Sequence, residues 1–154
     1  MKKCNEVMTK KPVCCLPNDT VTKAALGMKN EDVGSIPVIN DEKKKKLIGI
    51  VTDRDLALQI VADGRDPKTT KVADVMTSKV YTCFADDDIQ KAVAEMAKHQ
   101  LRRIPVVDKD QKIIGVISQA DVATRVNKRK KKLASMLKKI SQPSKKPQVS
   151  KSKQ

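Results

Sequence analysis

An internal duplication limits what this 154-residue chain can fold into. Val7-Met8-Thr9 returns as Val75-Met76-Thr77, and Ile36-Pro37-Val38 as Ile104-Pro105-Val106, both 68 residues later. Leu47-Ile48-Gly49-Ile50-Val51-Thr52 returns as Ile113-Ile114-Gly115-Val116-Ile117-Ser118 after 66. Over positions 7–40, 12 of 34 residues equal their partner 68 later, where typical residue frequencies give roughly two. The spacing shortens because Lys43 to Lys46 form a longer loop than its counterpart near Asp110-Gln111. A repeat of about 55–60 residues is marginal alone by surface-to-volume scaling. Two copies packed about a pseudo-twofold axis can share a core, and a ligand site in one copy has a candidate twin in the other.

That core must be aliphatic, because the chain has no Trp, one Tyr (Tyr81) and one Phe (Phe84). The net charge of +15 is unevenly spread. No acid follows Asp121, whereas residues 125–154 carry twelve Lys/Arg. A nearly neutral body therefore bears a basic tail. No stretch approaches the roughly 20 apolar residues of a membrane span, and no apolar segment follows the first lysines as in a secretory signal. The expected location is cytoplasmic. Cys4, Cys14, Cys15 and Cys83 form no C-x-x-C pair, and His99 is the only histidine. Structural zinc needs paired ligands at set spacings, so reduced thiols and no metal site are expected.

Each copy reads in the same order. An extended piece (Pro12–Cys15, Val80–Cys83) leads into a turn rich in helix-capping residues (Pro17–Thr20, Ala85–Asp88). A helix follows. Its apolar face is Val21, Ala24, Ala25 and Met28 in the first copy, and Ile89, Val93, Met96 and Ala97 in the second. Two strands come next, Ile36–Ile39 with Leu47–Val51 and Ile104–Val107 with Ile113–Ile117, each pair joined by a charged hairpin turn. Their prolines are expected at a strand start or edge. Thr52 and Ser118 then cap a second helix, the first running from Asp53 to about Ala62. The fold class is α/β (α+β), two β-α-β-β-α repeats about a pseudo-twofold axis with a basic C-terminal helix and tail. The expected division is 1–64, 65–126 and 127–154.

The element order, the Ile-Pro-Val strands, and the stretches Gly49-Ile-Val-Thr-Asp-Arg-Asp-Leu56 and Gly115-Val-Ile-Ser-Gln-Ala-Asp-Val122 resemble a tandem pair of CBS domains, the Bateman module. The resemblance covers residues 7 to about 126. It implies a two-fold α/β disc that acts as a non-catalytic regulatory module and needs no cofactor. The implied ligands are adenosine-containing: AMP, ADP, ATP or S-adenosylmethionine. It also implies a homodimer.

The residues themselves admit such a site. A strand ending in Thr or Ser, followed by a helix with Asp in its first turn, gathers a hydroxyl, unpaired helix-start amides and a carboxylate. The carboxylate can accept from two ribose hydroxyls. These groups are Thr52 and Asp55 in the first copy, Ser118 and Asp121 in the second. Helix capping alone explains the same pattern. The favoured site, in the second copy, comprises Thr82, Arg102, Arg103, Ile104, Pro105, Ser118 and Asp121, with the two guanidiniums aimed at phosphate. The first-copy site comprises Cys14, Ser35, Ile36, Pro37, Thr52, Arg54 and Asp55. Its Cys14 is a weak donor where the other copy has Thr82.

No nucleophile–base set or phosphate-binding glycine loop appears, so no enzyme activity is expected. Asp86-Asp87-Asp88 opens a helix, where acids are favoured without a metal. The tail suggests the alternative of a nucleic-acid-associated protein, or contact with an anionic surface, with the pair as sensor or dimeriser. It lacks aromatics for base stacking.

Overall fold

The computed structural model describes residues 2–125 and 137–141. Among them the order is α1 (Cys4–Val7), β1 (Thr9–Lys10), α2 (Val21–Glu31), β2 (Ser35–Ile39), β3 (Leu47–Thr52), α3 (Asp53–Leu56), β4 (Cys83–Phe84), α4 (Ile89–His99), β5 (Arg103–Val107), β6 (Ile113–Ser118) and α5 (Gln119–Arg125). The helix begun by α3 widens into a π-helical turn over Ala57–Val61, and a 3₁₀ turn spans Val72–Asp74. The mixed α/β fold expected for the repeat is present.

The long helices form where the apolar spacing places them. Val21, Ala24 and Met28 are buried on α2; Ile89, Ala92, Val93 and Met96 are buried on α4. Ala25, expected on the same face, is exposed, and Ala97 is half-buried. Thr20 caps α2 by accepting from the Lys23 amide at 3.3 Å. Both helices stop at repeat-related residues in the left-handed region, Asp32 (φ 53°) and Gln100 (φ 54°). The next amides, of Val33 and Leu101, turn back to the carbonyls of Met28 and Met96 at 3.0 and 2.8 Å. Those bonds satisfy carbonyls that a helix end otherwise leaves open.

The leading extended pieces pair over less of their length than expected. Only Cys15 bridges Val38, in parallel, and only Cys83–Phe84 pairs with β5. The prolines follow from this: Pro37 and Pro105 are the middle residues of five-residue strands rather than at a start, β2 being an edge of its two-stranded sheet as expected and β5 lying inside its sheet. Each tolerates its missing N–H because the flank opposite the hairpin carries only that short parallel partner. Pro37 still accepts from the Cys15 amide at 2.9 Å.

Each lobe takes its leading segment from the other repeat. β1 pairs antiparallel with β6, giving the order β1-β6-β5-β4, and Thr77 bridges Ile50 on β3 in the same way. Cys4, Val7 and Met8 sit in the core of the second repeat with Ile89, Met96, Ile104 and Ile117. Val72 and Val75 sit in the core of the first with Val21, Ile36 and Val51. Gly115 and Gly49 allow this, since a Cβ on either would overlap the Sδ of Met8 or Met76. Gln59 donates to the Val75 carbonyl at 3.0 Å, and its counterpart Arg125 donates to Val7 and Met8 at 3.0 and 3.1 Å.

Two further bonds locate the axis. Leu47 donates to Gln111 and Ile113 donates to Lys45, each at 3.0 Å. The two are images of each other under the 66-residue shift, so the pseudo-twofold passes between Lys46 and Lys112. Residues 137–141 are helical, and Ile140 is buried in the second core. Most of the expected basic tail, 126–136 and 142–154, lies outside the described residues.

Candidate ligand cleft between the repeats

The hairpins β2–β3 and β5–β6 bring repeat-related residues face to face. Pro37 pairs with Ile50, and Pro105 with Val116. These four residues floor a cavity of about 250 Å³. Ser35 and Arg103, also repeat-related, face it from the two strand starts, and Ile36 adds apolar wall. The remaining wall comes from one side only: Thr9, Lys11, Pro12 and Val13 on the strap that follows α1, and Glu31 and Val33 at the end of α2. The result is an apolar slot edged by two hydroxyls, two cations and one carboxylate.

The expected sites are thereby redistributed. Ser35, Ile36 and Pro37 of the first set share this cavity with Arg103 and Pro105 of the second. Ile104 is fully buried in the core beside it. Arg102 is exposed, and its carbonyl receives the Gln119 amide at 2.9 Å. Thr82 is half-buried ahead of β4, outside this wall. Arg54 is exposed, its amide bonded to the Asp53 carboxylate at 2.8 Å. Cys14 lies beyond the strap, in a broader hollow of about 830 Å³ with Met8, Ile39, Lys45 and Lys112.

Both Thr/Ser–Asp motifs are reciprocal helix caps. Thr52 and Asp55 exchange bonds of 3.0 and 3.1 Å; Ser118 and Asp121 exchange bonds of 2.9 and 3.0 Å. Neither pair lines the 250 Å³ cavity. Asp121 is joined to it by Thr9, whose hydroxyl lies 3.4 Å from both carboxylate oxygens. The sequence reading missed Thr9, Lys11 and Glu31. Thr9 and Lys11 do carry a signal, since both recur unchanged as Thr77 and Lys79.

Cys14, Cys15 and Cys83 hold their protons tightly, whereas the hydrogen bond with Cys83 lowers Cys4, which is fully buried. Burial pushes the Cys14 and Cys15 thiols from their ordinary value near 9 up to about 11. A hydrogen bond shared with Cys4, then burial, pushes Cys83 up as well. Protonated thiols are poor nucleophiles and poor metal ligands. The folded state holds these protons more tightly than the unfolded chain, so their contribution to stability is complete below pH 9 and is lost as pH rises toward 11. The urea midpoint is expected to hold from pH 7 to 8.5 and to fall between 9 and 11. The fall should be shallower in Cys14→Ala/Cys15→Ala; an equal slope would contradict this assignment.

The family model for the CBS domain matches residues 4–62 and 72–128. The chain belongs to the CBS domain family. The two matches form a tandem pair, each containing one of the lobes' hairpins. The chain is 41% identical over 123 residues to the uncharacterized protein YlbB of Bacillus subtilis, covering 80% of this chain and 81% of that one. It is 31% identical over 123 residues to Hypoxic response protein 1 of Mycobacterium tuberculosis, covering 80% and 84%. A crystal structure of Hypoxic Response Protein I with two coordinated zinc ions superposes with a TM-score of 0.74 at 29% identity, covering 82% of this chain and all of that one. A crystal structure of CBSX2 in complex with AMP superposes with a TM-score of 0.67 at 27% identity, covering 80% and 94%. Among the described residues of this chain, no three His, Cys, Asp or Glu side chains gather as a metal site.

Proposed function

We propose that this CBS pair is a non-catalytic regulatory module that binds an adenosine-containing ligand, best a mononucleotide, in the cleft between its repeats. The observation that carries the reading is the shared floor. Pro37 and Ile50 come from one repeat, Pro105 and Val116 from the other, so one ligand touches both. The apolar slot suits a purine, and Lys11 and Arg103 suit phosphate. Thr9, backed by Asp121, suits the ribose. At about 250 Å³ the cavity lies just below the roughly 300–1,000 Å³ of drug-sized sites, so it suits the enclosure of a base and sugar with the phosphate at its mouth. The AMP bound to CBSX2 supports the same ligand class.

A ligand that spans both repeats stabilises the arrangement it fits, and that difference is what a regulatory module transmits. Exposed apolar residues Leu26 on α2 and Leu58 and Val61 after α3 give a surface for the proposed homodimer. No helix among the described residues is long and apolar enough to cross a membrane; the cytoplasmic placement remains part of this proposal. The polynucleotide alternative rests on the tail, most of which lies outside the described residues. Calorimetric titration with AMP, ADP, ATP and S-adenosylmethionine tests the reading. Saturable binding with AMP at least as tight as ATP is expected, and failure of all four overturns it.

A further inference from the structure

The cleft just described has a twin by symmetry, and the two differ where the repeats differ in sequence. Three wall residues of the first cleft are Lys11, Val13 and Glu31. Their counterparts 68 residues on are Lys79, Tyr81 and His99. The lysine is kept, but in place of a small aliphatic side chain and a carboxylate the second repeat has two rings stacked on each other. Their centroids are 3.5 Å apart and their planes 12° from parallel. The Lys79 ammonium lies over the tyrosine ring, 5.8 Å from its centroid. His99 is further held by Glu95, one turn back on α4, at 3.3 Å. The residue equivalent to Glu95 is Gly27, so the first repeat has no such anchor.

We propose that Tyr81 and His99 close the second cleft by stacking across its mouth, so that each chain takes one ligand, in the first cleft, rather than two. Both rings are half-buried, and packing of flat faces excludes the purine face that would otherwise enter. The second repeat still serves the open cleft, because its Arg103 and Pro105 line the first cavity. Duplication has thus become a division of labour: the first repeat supplies the open wall with Lys11, the second adds Arg103 across the floor. The stoichiometry rests on the adenosine-ligand reading; the closure does not.

Tyr81 and His99 are the only tyrosine and the only histidine, so their ring resonances are unambiguous. Cross-relaxation between the two rings in the free protein is expected, and its absence overturns the closure. In calorimetry with AMP, the natural protein should bind one equivalent per chain. Tyr81→Val/His99→Glu, which copies the first repeat, should bind two. Val13→Tyr/Glu31→His, which brings both rings to the first repeat without the Glu95 anchor, should bind AMP at least tenfold more weakly, and unchanged affinity would overturn the proposal. Two equivalents on the natural protein, or one on the opened variant, overturn the proposal. Ring contact without AMP binding by any of the three proteins removes the ligand reading and leaves the closed cleft standing.

Discussion

Gly115→Ala is expected to destabilise the protein by about 1–3 kcal/mol, the usual range for forcing a methyl group into a packed site. Most glycine-to-alanine changes in a strand are mild or stabilising, because alanine reduces the freedom of the unfolded chain. Here the added Cβ would overlap the Met8 Sδ and come within 3.0 Å of the Thr9 carbonyl oxygen. Met8 can rotate; the Thr9 backbone cannot move without breaking the β1–β6 pairing at Thr9–Val116. The methyl therefore pushes against the exchange of leading segments that joins the repeats. Gly49→Ala should repeat the effect in the other lobe, against Met76 and the Thr77 carbonyl at 3.1 Å. Met8→Ala alone should cost about 2–5 kcal/mol as a cavity. The double variant Met8→Ala/Gly115→Ala should cost clearly less than the two combined, because the new methyl enters the vacated space. Urea unfolding of the four proteins measures this. Strict additivity would show that the Met8 side chain carries none of the cost, leaving it to the Thr9 carbonyl.

Arg103→Ala is expected to weaken AMP about 10- to 100-fold while changing adenosine affinity less than about threefold. A hydrogen bond to a charged partner contributes about 1.5–3 kcal/mol, and each 1.4 kcal/mol is tenfold in affinity. Arg103 lines the cavity from the second repeat while most of the remaining wall comes from the first, so under the proposed placement its loss takes away one of the two phosphate-facing cations, Lys11 being the other, and leaves the slot. Arg102→Ala is the internal comparison. Its side chain is exposed, and its structural bond is made by the carbonyl, which alanine retains. Its effect should stay within about threefold, as for exposed charges generally. Equal losses for AMP and adenosine at Arg103, or a larger loss at Arg102, would contradict the placement of the phosphate.

The architecture was legible in the sequence because both periodicities occur twice. Val21, Ala24 and Met28 at helical spacing, and the runs Leu47–Val51 and Ile113–Ile117, each mark one face or one strand. The exchange of leading segments was not legible. Val7-Met8-Thr9 and its copy were visible as a repeat, but a repeat does not say which copy it packs on. That is decided by the two glycines and by Gln59 and Arg125, residues whose pairing crosses more than a dozen positions. The candidate site was legible by residue and not by grouping. Ser35, Ile36, Pro37, Arg103 and Pro105 meet in one cavity because the hairpins cross the axis, whereas the reading along the chain assigned each to its own repeat. The Thr/Ser–Asp motifs show the same limit from the other side. Capping and ligand contact call for the same residues at the same spacing, and here the capping bonds are made.

A crystal structure of the protein with AMP tests the central claim most directly. The account predicts one nucleotide per chain, its base against both Pro37 and Pro105 and its phosphate within hydrogen-bonding reach of Lys11 or Arg103. Tyr81 should still lie flat on His99. A nucleotide seated wholly within one repeat, or one that has displaced the Tyr81 ring while the first cleft stays empty, would contradict it.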